Sequence, residues 1–213
     1  MTSLLSSLVA ALLLVNLVAL GTSRIRTVIR AVAVQGVLLG LLAVAAHGGL
    51  AGRVLALAVA SALLKGWLIP VVLFRALRQV AITREVEPSL GFLPSLLLGA
   101  FATVLAVAAG SRLPFAEARL APLLVPASLA TVAAGFILIT TRRKAISQVL
   151  GYLVLENGIF VFGLLLVEAT PFLVEAGVLL DLFVGIFVLS IIIHHINREF
   201  ASLDTRRLSL LKE

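Results

Sequence analysis

Three charged side chains stand in stretches with no other charge: Lys65 in VASALLKGWLIPVVLF, Glu156 in GYLVLENGIFVF and Asp181 in GVLLDLFVGIFVLS. Amines and carboxylates exchange protons. At the centre of a membrane helix each also opposes insertion by about 2.5–3.5 kcal/mol, so the three together oppose assembly by about 8–10 kcal/mol before any pairing. They must face protein or water. Two acids and one base leave one carboxylate over, and such a group can bind and release a proton. Lys65, Glu156 and Asp181 are therefore candidates for a lateral proton path.

Other polar residues carry less. Glu175, one turn into the last apolar run, belongs either to an outer vestibule or to the membrane interface. His194 and His195 end that run, where a helix C-terminus favours a cation, and His194 is also a candidate for proton entry at a cytoplasmic mouth. The pair makes no metal site, because neighbouring helical residues point about 100° apart and the chain has no Cys. Pro70, five residues after Lys65, removes the N–H that the Gly66 carbonyl would accept, which predicts a kink that hydrates the lysine. Gly36 and Gly40 form a GxxxG pattern suited to close helix packing, and Asn16, Gln35 and Asn157 suit interhelical hydrogen bonds.

Positioning these residues takes helices. The chain is 62% hydrophobic and 13% charged over 213 residues, a balance that excludes a water-soluble domain of this size. Continuous apolar runs, without the period-two alternation of outer-membrane strands, predict an all-α polytopic bundle. Seven runs are long enough to span: residues 3–20, 28–46, 54–73, 90–109, 122–140, 146–167 and 171–194. The first lacks a basic leading segment and is read as helix one, not as a signal peptide. Residues 1–213 then form a single integral membrane domain. It comprises helices one to five (1–141), a hairpin of helices six and seven (142–197) and a tail (198–213).

The net charge of +7 lies in the loops. Arg24, Arg26, Arg30, Arg75, Arg78, Arg84, Arg142, Arg143, Lys144, Arg198, Arg206, Arg207 and Lys212 all fall on one side of this topology, which predicts the N-terminus outside and the C-terminus in the cytoplasm. So placed, the basic charge suits anionic lipid and not nucleic acid. Glu156, Asp181 and Lys65 then lie about 11, 10 and 12 residues from the outer ends of their runs, or roughly 15–18 Å in at 1.5 Å per residue. The three are level, near mid-membrane. No nucleotide loop, metal-ligand helix or nucleophile triad is present, so catalysis by this chain alone is not expected.

The run RRKAISQVLGYLVLENG (142–158), followed by LVEAGVLLDLFVGIFVLS (173–190), resembles the hydrogenase-4 component E (HyfE) family of membrane subunits. VASALLKGWLIPVVLF (59–74) and the tail SLDTRRLSLLKE (202–213) extend the resemblance over nearly the whole chain. The last three helices also resemble the small proton-channel subunit of respiratory complex I. Its basic pair, Gly-Leu-Glu and following Asn correspond to Arg142-Arg143, Gly151-Tyr152-Leu153 and Asn157, and its second carboxylate with Gly corresponds to Asp181 with Gly185. Here the glutamate stands three residues later, at Glu156, on the same helix face one turn along.

The resemblance implies a non-catalytic subunit of a membrane-bound [NiFe]-hydrogenase or formate-hydrogenlyase-type complex in a prokaryotic cytoplasmic membrane. Proton or sodium translocation would be coupled there to electron transfer. It further implies antiporter-like and membrane-anchor subunits as partners, with the [NiFe] centre and iron–sulfur clusters in other subunits and no cofactor in this chain. Leu203, Leu208, Leu210 and Leu211 suggest that the tail docks on such a partner. Two alternatives remain: a purely structural subunit whose charges only pair, and a carrier or a subunit of a multisubunit cation/proton antiporter.

Overall fold

The computed structural model describes residues 2–47, 52–80, 88–110 and 121–165. The seventh apolar run, the tail and the residues Glu175, Asp181 and His194 lie outside the described residues. All regular elements among the described residues are helical. They are α1 (Thr2–Gly21), α2 (Ile25–His47), α3 (Gly52–Leu63), a π-helical turn (Leu64–Leu68), α4 (Ile69–Val80), α5 (Phe92–Gly110), α6 (Ala121–Thr141) and α7 (Ala145–Gly163). Five of them, α1, α2, α5, α6 and α7, are long and apolar enough to cross a membrane. A further helical run extends without a break from Gly52 through the π turn to Val80.

Helices form because an apolar chain in lipid must satisfy its own backbone groups. Their outward faces carry Leu14, Leu97, Phe101, Val104, Phe136 and Ile159, all exposed. Acyl chains are as apolar as these side chains, so burial in lipid does not drive the helices together, and close packing and internal polar contacts must. The α6–α7 hairpin shows the first device. A Cβ on Gly158 would lie 2.6 Å from the Val132 nitrogen, and one on Gly151 would lie 2.8 Å from the Ile139 nitrogen. Only glycine lets these two backbones meet.

Short links at residues 22–24 and 142–144 make α1–α2 and α6–α7 antiparallel hairpins. The two hairpins close into a ring in which α1 touches α2, α2 touches α7, α7 touches α6 and α6 touches α1. The run from α3 to α4 packs on the outside of α2, and α5 packs against α1 and α6.

The apolar core falls into two halves. One holds Leu20, Ile25, Ile29, Leu73, Leu77, Leu138 and Leu150; the other holds Leu5, Leu12, Leu39, Leu42, Ala58, Leu124 and Val161. On each contributing helix a polar residue stands between the halves: Asn16, Gln35, Lys65, Thr131, and Glu156 with Asn157. The exposed Arg24, Arg26, Arg30, Arg75, Arg78 and Arg143 flank only the first half. The structure thus gathers three basic segments at one end of the bundle.

Candidate functional site

Lys65 lies within the π turn, whose five-residue hydrogen bond runs from the Ile69 N–H to the Leu64 carbonyl. Pro70 follows immediately and has no N–H to continue an α-helical ladder, so the chain widens by a residue before it. The distortion expected beside the lysine therefore takes the form of a π turn. Close approach fixes this turn against α2: a Cβ on Gly36 would lie 2.5 Å from the Lys65 carbonyl carbon and 2.6 Å from the Gly66 nitrogen. The GxxxG pattern is thus a packing contact, as its spacing suggested, since a Cβ on Gly40 would likewise lie 2.7 Å from the Ala58 carbonyl oxygen.

Across the groove, α7 presents Glu156. Lys65 Nζ is 3.2 Å from Glu156 Oε1, with only 5% and 8% of the two side chains exposed. The Phe160 ring, one turn further along α7, lies 5.2 Å from the ammonium and adds a cation–π contact. A buried ion pair is weak evidence for stability by itself, since desolvation offsets much of the attraction. It does place a proton donor and a proton acceptor in contact.

Beside the pair runs a chain of buried side chains. The Asn157 amide donates to Gln35 Oε1 at 3.0 Å, Gln35 donates to Asn16 Oδ1 at 2.6 Å, and Asn16 donates to Thr131 Oγ1 at 2.9 Å. Thr131 in turn donates to the Ala127 carbonyl at 2.7 Å. These four residues come one from each helix of the ring, so the chain closes the bundle at a single level. Asn157 follows Glu156 directly and Gln35 precedes Gly36. The same two residues therefore anchor the helix that carries the carboxylate and the glycine that seats the lysine.

Arg142 is the residue whose place the sequence hid. It reads as one of three exposed loop cations, yet it is 3% exposed. Its Nη2 donates to the Leu20 carbonyl at 2.6 Å, and its guanidinium stacks 4.5 Å from the Phe92 ring. It thus caps the C-terminal turn of α1, where carbonyls lack partners and a cation is favoured. A signal was present, because the buried positions Ala134 and Leu138 on α6 continue at the same four-residue step to 142.

Of the expected path, the structure brings Lys65 and Glu156 together with Pro70 alongside. Asn16, Gln35 and Asn157 bond one another as their types suggested. No group of three His, Cys, Asp or Glu residues suited to a metal ion occurs among the described residues.

The uncharacterized protein Rv0085 of Mycobacterium tuberculosis is 31% identical to this chain over 160 residues, covering 75% of the chain and 73% of that protein. The chain belongs to the family of that mycobacterial protein. A shorter similarity, 32% over 78 residues, joins it to hydrogenase-4 component E of Escherichia coli K12, and covers 37% of the chain and 36% of that protein. The same figures hold for hydrogenase-4 component E of Shigella flexneri. No protein-family model matches the chain, and no solved structure matches it. The similarity to component E and the five apolar helices agree on a protein embedded in a membrane.

Proposed function

We propose that this protein is a non-catalytic membrane subunit of a complex-I-related [NiFe]-hydrogenase or formate-hydrogenlyase-type assembly. In that reading it contributes mid-membrane charges to proton or sodium translocation coupled to electron transfer. The observation that carries the reading is the Lys65–Glu156 contact of 3.2 Å, buried between two otherwise apolar helices. Ionisable residues so placed are rare and mark ion paths more often than they support a fold. The partial similarity to a component of hydrogenase-4 supports the kind of assembly. The basic end of the bundle supports a cytoplasmic C-terminus after seven spans in a prokaryotic inner membrane.

Asp181, Glu175 and His194 extend the path in this proposal, and metal centres belong to other subunits. Partner subunits would be antiporter-like or membrane-anchoring. Lys65 and Glu156 hold a proton between them, and a second carboxylate receives it when the lysine turns away. The alternative of a purely structural role gains weight from the amide chain next to the pair, which shows that polar groups at this level also serve packing.

Redox-driven ion pumping by vesicles containing the parent complex, wild type against Glu156→Gln at equal subunit content, separates the two. Loss of pumping with assembly intact supports translocation. Unchanged pumping leaves the structural role.

A further inference from the structure

Four buried hydroxyls in these helices dispose of their protons in one way. Ser95, Ser128, Thr131 and Thr141 each donate to a backbone carbonyl three or four residues earlier, at 2.5–2.8 Å. Ser61 departs from this habit. It is 5% exposed, and its Oγ has no hydrogen-bond partner among the described residues. A buried hydroxyl left so costs about 1–3 kcal/mol, and water commonly satisfies such groups.

The position of Ser61 says what would surround that water. Ala58, Ser61 and Lys65 are the buried positions of one helical stripe, with Lys65 four residues after the serine. Side chains on a helix lean toward its N-terminus, so the lysine stem passes over the turn that holds Ser61. The ammonium lies 3.2 Å from Glu156 Oε1 and 5.2 Å from the centre of the Phe160 ring. α3 and α7 run in opposite directions, which puts Ser61 level with Phe160, one turn from Glu156 on the side away from the end where Arg24, Arg30, Arg75, Arg78 and Arg143 gather. A lysine ammonium has three N–H groups, enough to hold a carboxylate oxygen and a water together.

We propose that Ser61 and Lys65 bind an ordered water molecule, and that this site is the first step of the path on the side of Glu156 away from the basic end. The serine hydroxyl donates to the water or accepts from it, and the ammonium donates to it. The water's remaining hydrogen faces the carboxylate, which meets the usual need of two to four polar partners. Phe160 closes the apolar side. The water's role as a step of the path rests on the translocation reading given above; its binding does not.

The test uses the full chain in its complex, in lipid vesicles, with water labelled by oxygen-18 as the probe. Infrared difference spectra across a pH step should contain an O–H stretching band that moves on labelling in the wild type and in Ser61→Thr. That band should be lost in Ser61→Ala, with subunit content unchanged. Its absence from the wild type, or its persistence in Ser61→Ala, overturns the site. Pumping by Glu156→Gln is read separately, so a failure of the translocation reading leaves the water band to decide the site on its own.

Discussion

Gly36→Ala tests whether the lysine's turn is held by contact with α2. The added Cβ would lie 2.5 Å from the Lys65 carbonyl carbon, 2.6 Å from the Gly66 nitrogen and 2.7 Å from the Lys65 Cβ, where ordinary contact begins at 3.4 Å. The two helices must part by roughly 0.7–0.9 Å, and because two of those three atoms are main chain, no rotamer change relieves the clash. Overpacking of this kind costs about 1–3 kcal/mol. If α2 moves, the 3.0 Å bond from Asn157 to Gln35 stretches beyond hydrogen-bonding distance. If the π turn moves, the 3.2 Å Lys65–Glu156 contact opens instead. Unfolding in mixed micelles by titration with dodecyl sulfate, followed by circular dichroism, gives the cost. Gly52→Ala is the control, since a Cβ there meets nothing within 4 Å, and it should stay within about 0.5 kcal/mol of wild type. Equal stability of the two variants would refute the argument that glycine at 36 seats the lysine.

Two further outcomes follow from the same geometry. Lys65→Met alone should destabilise by about 3–5 kcal/mol because it strands a buried carboxylate, whereas Lys65→Met with Glu156→Gln should recover most of that loss; a double-mutant cycle in the same unfolding assay that shows additive costs would mean the pair is not coupled. Arg142→Met should cost about 2–4 kcal/mol through the lost charged hydrogen bond to Leu20 and the lost stacking on Phe92. Arg142→Lys should restore only part of it, because lysine offers no planar group to stack; full rescue by lysine would assign the effect to charge alone.

The membrane class and the helical elements were legible in the sequence because lipid imposes one simple rule on an apolar chain. Lys65 and Glu156 were legible as a pair because rise per residue fixes depth, and the interhelical roles of Asn16, Gln35 and Asn157 followed from the cost of leaving an amide unbonded. What depth arithmetic does not give is azimuth. The sequence marked three amides for bonds between helices without saying that they meet at one level or that Thr131 completes their chain, and it grouped Arg142 with its exposed neighbours although only Arg142 turns inward. Ser61 was passed over for a related reason: helical serines normally bond their own backbone, and only coordinates reveal one that does not.

The π turn sets the rotational phase of everything after it. Buried residues along this run step from 58 to 61 to 65, then to 70, 73 and 77, so the usual steps of three and four are interrupted by one step of five. In an uninterrupted α-helix that extra residue would turn the rest of the run by about 100°. Leu73 and Leu77 would swing away from the core and the exposed Arg75 would swing toward it. One surplus residue beside Lys65 thus keeps two helices of different phase facing the same partner. A lineage that lost it would have to rebuild the basic end of the bundle.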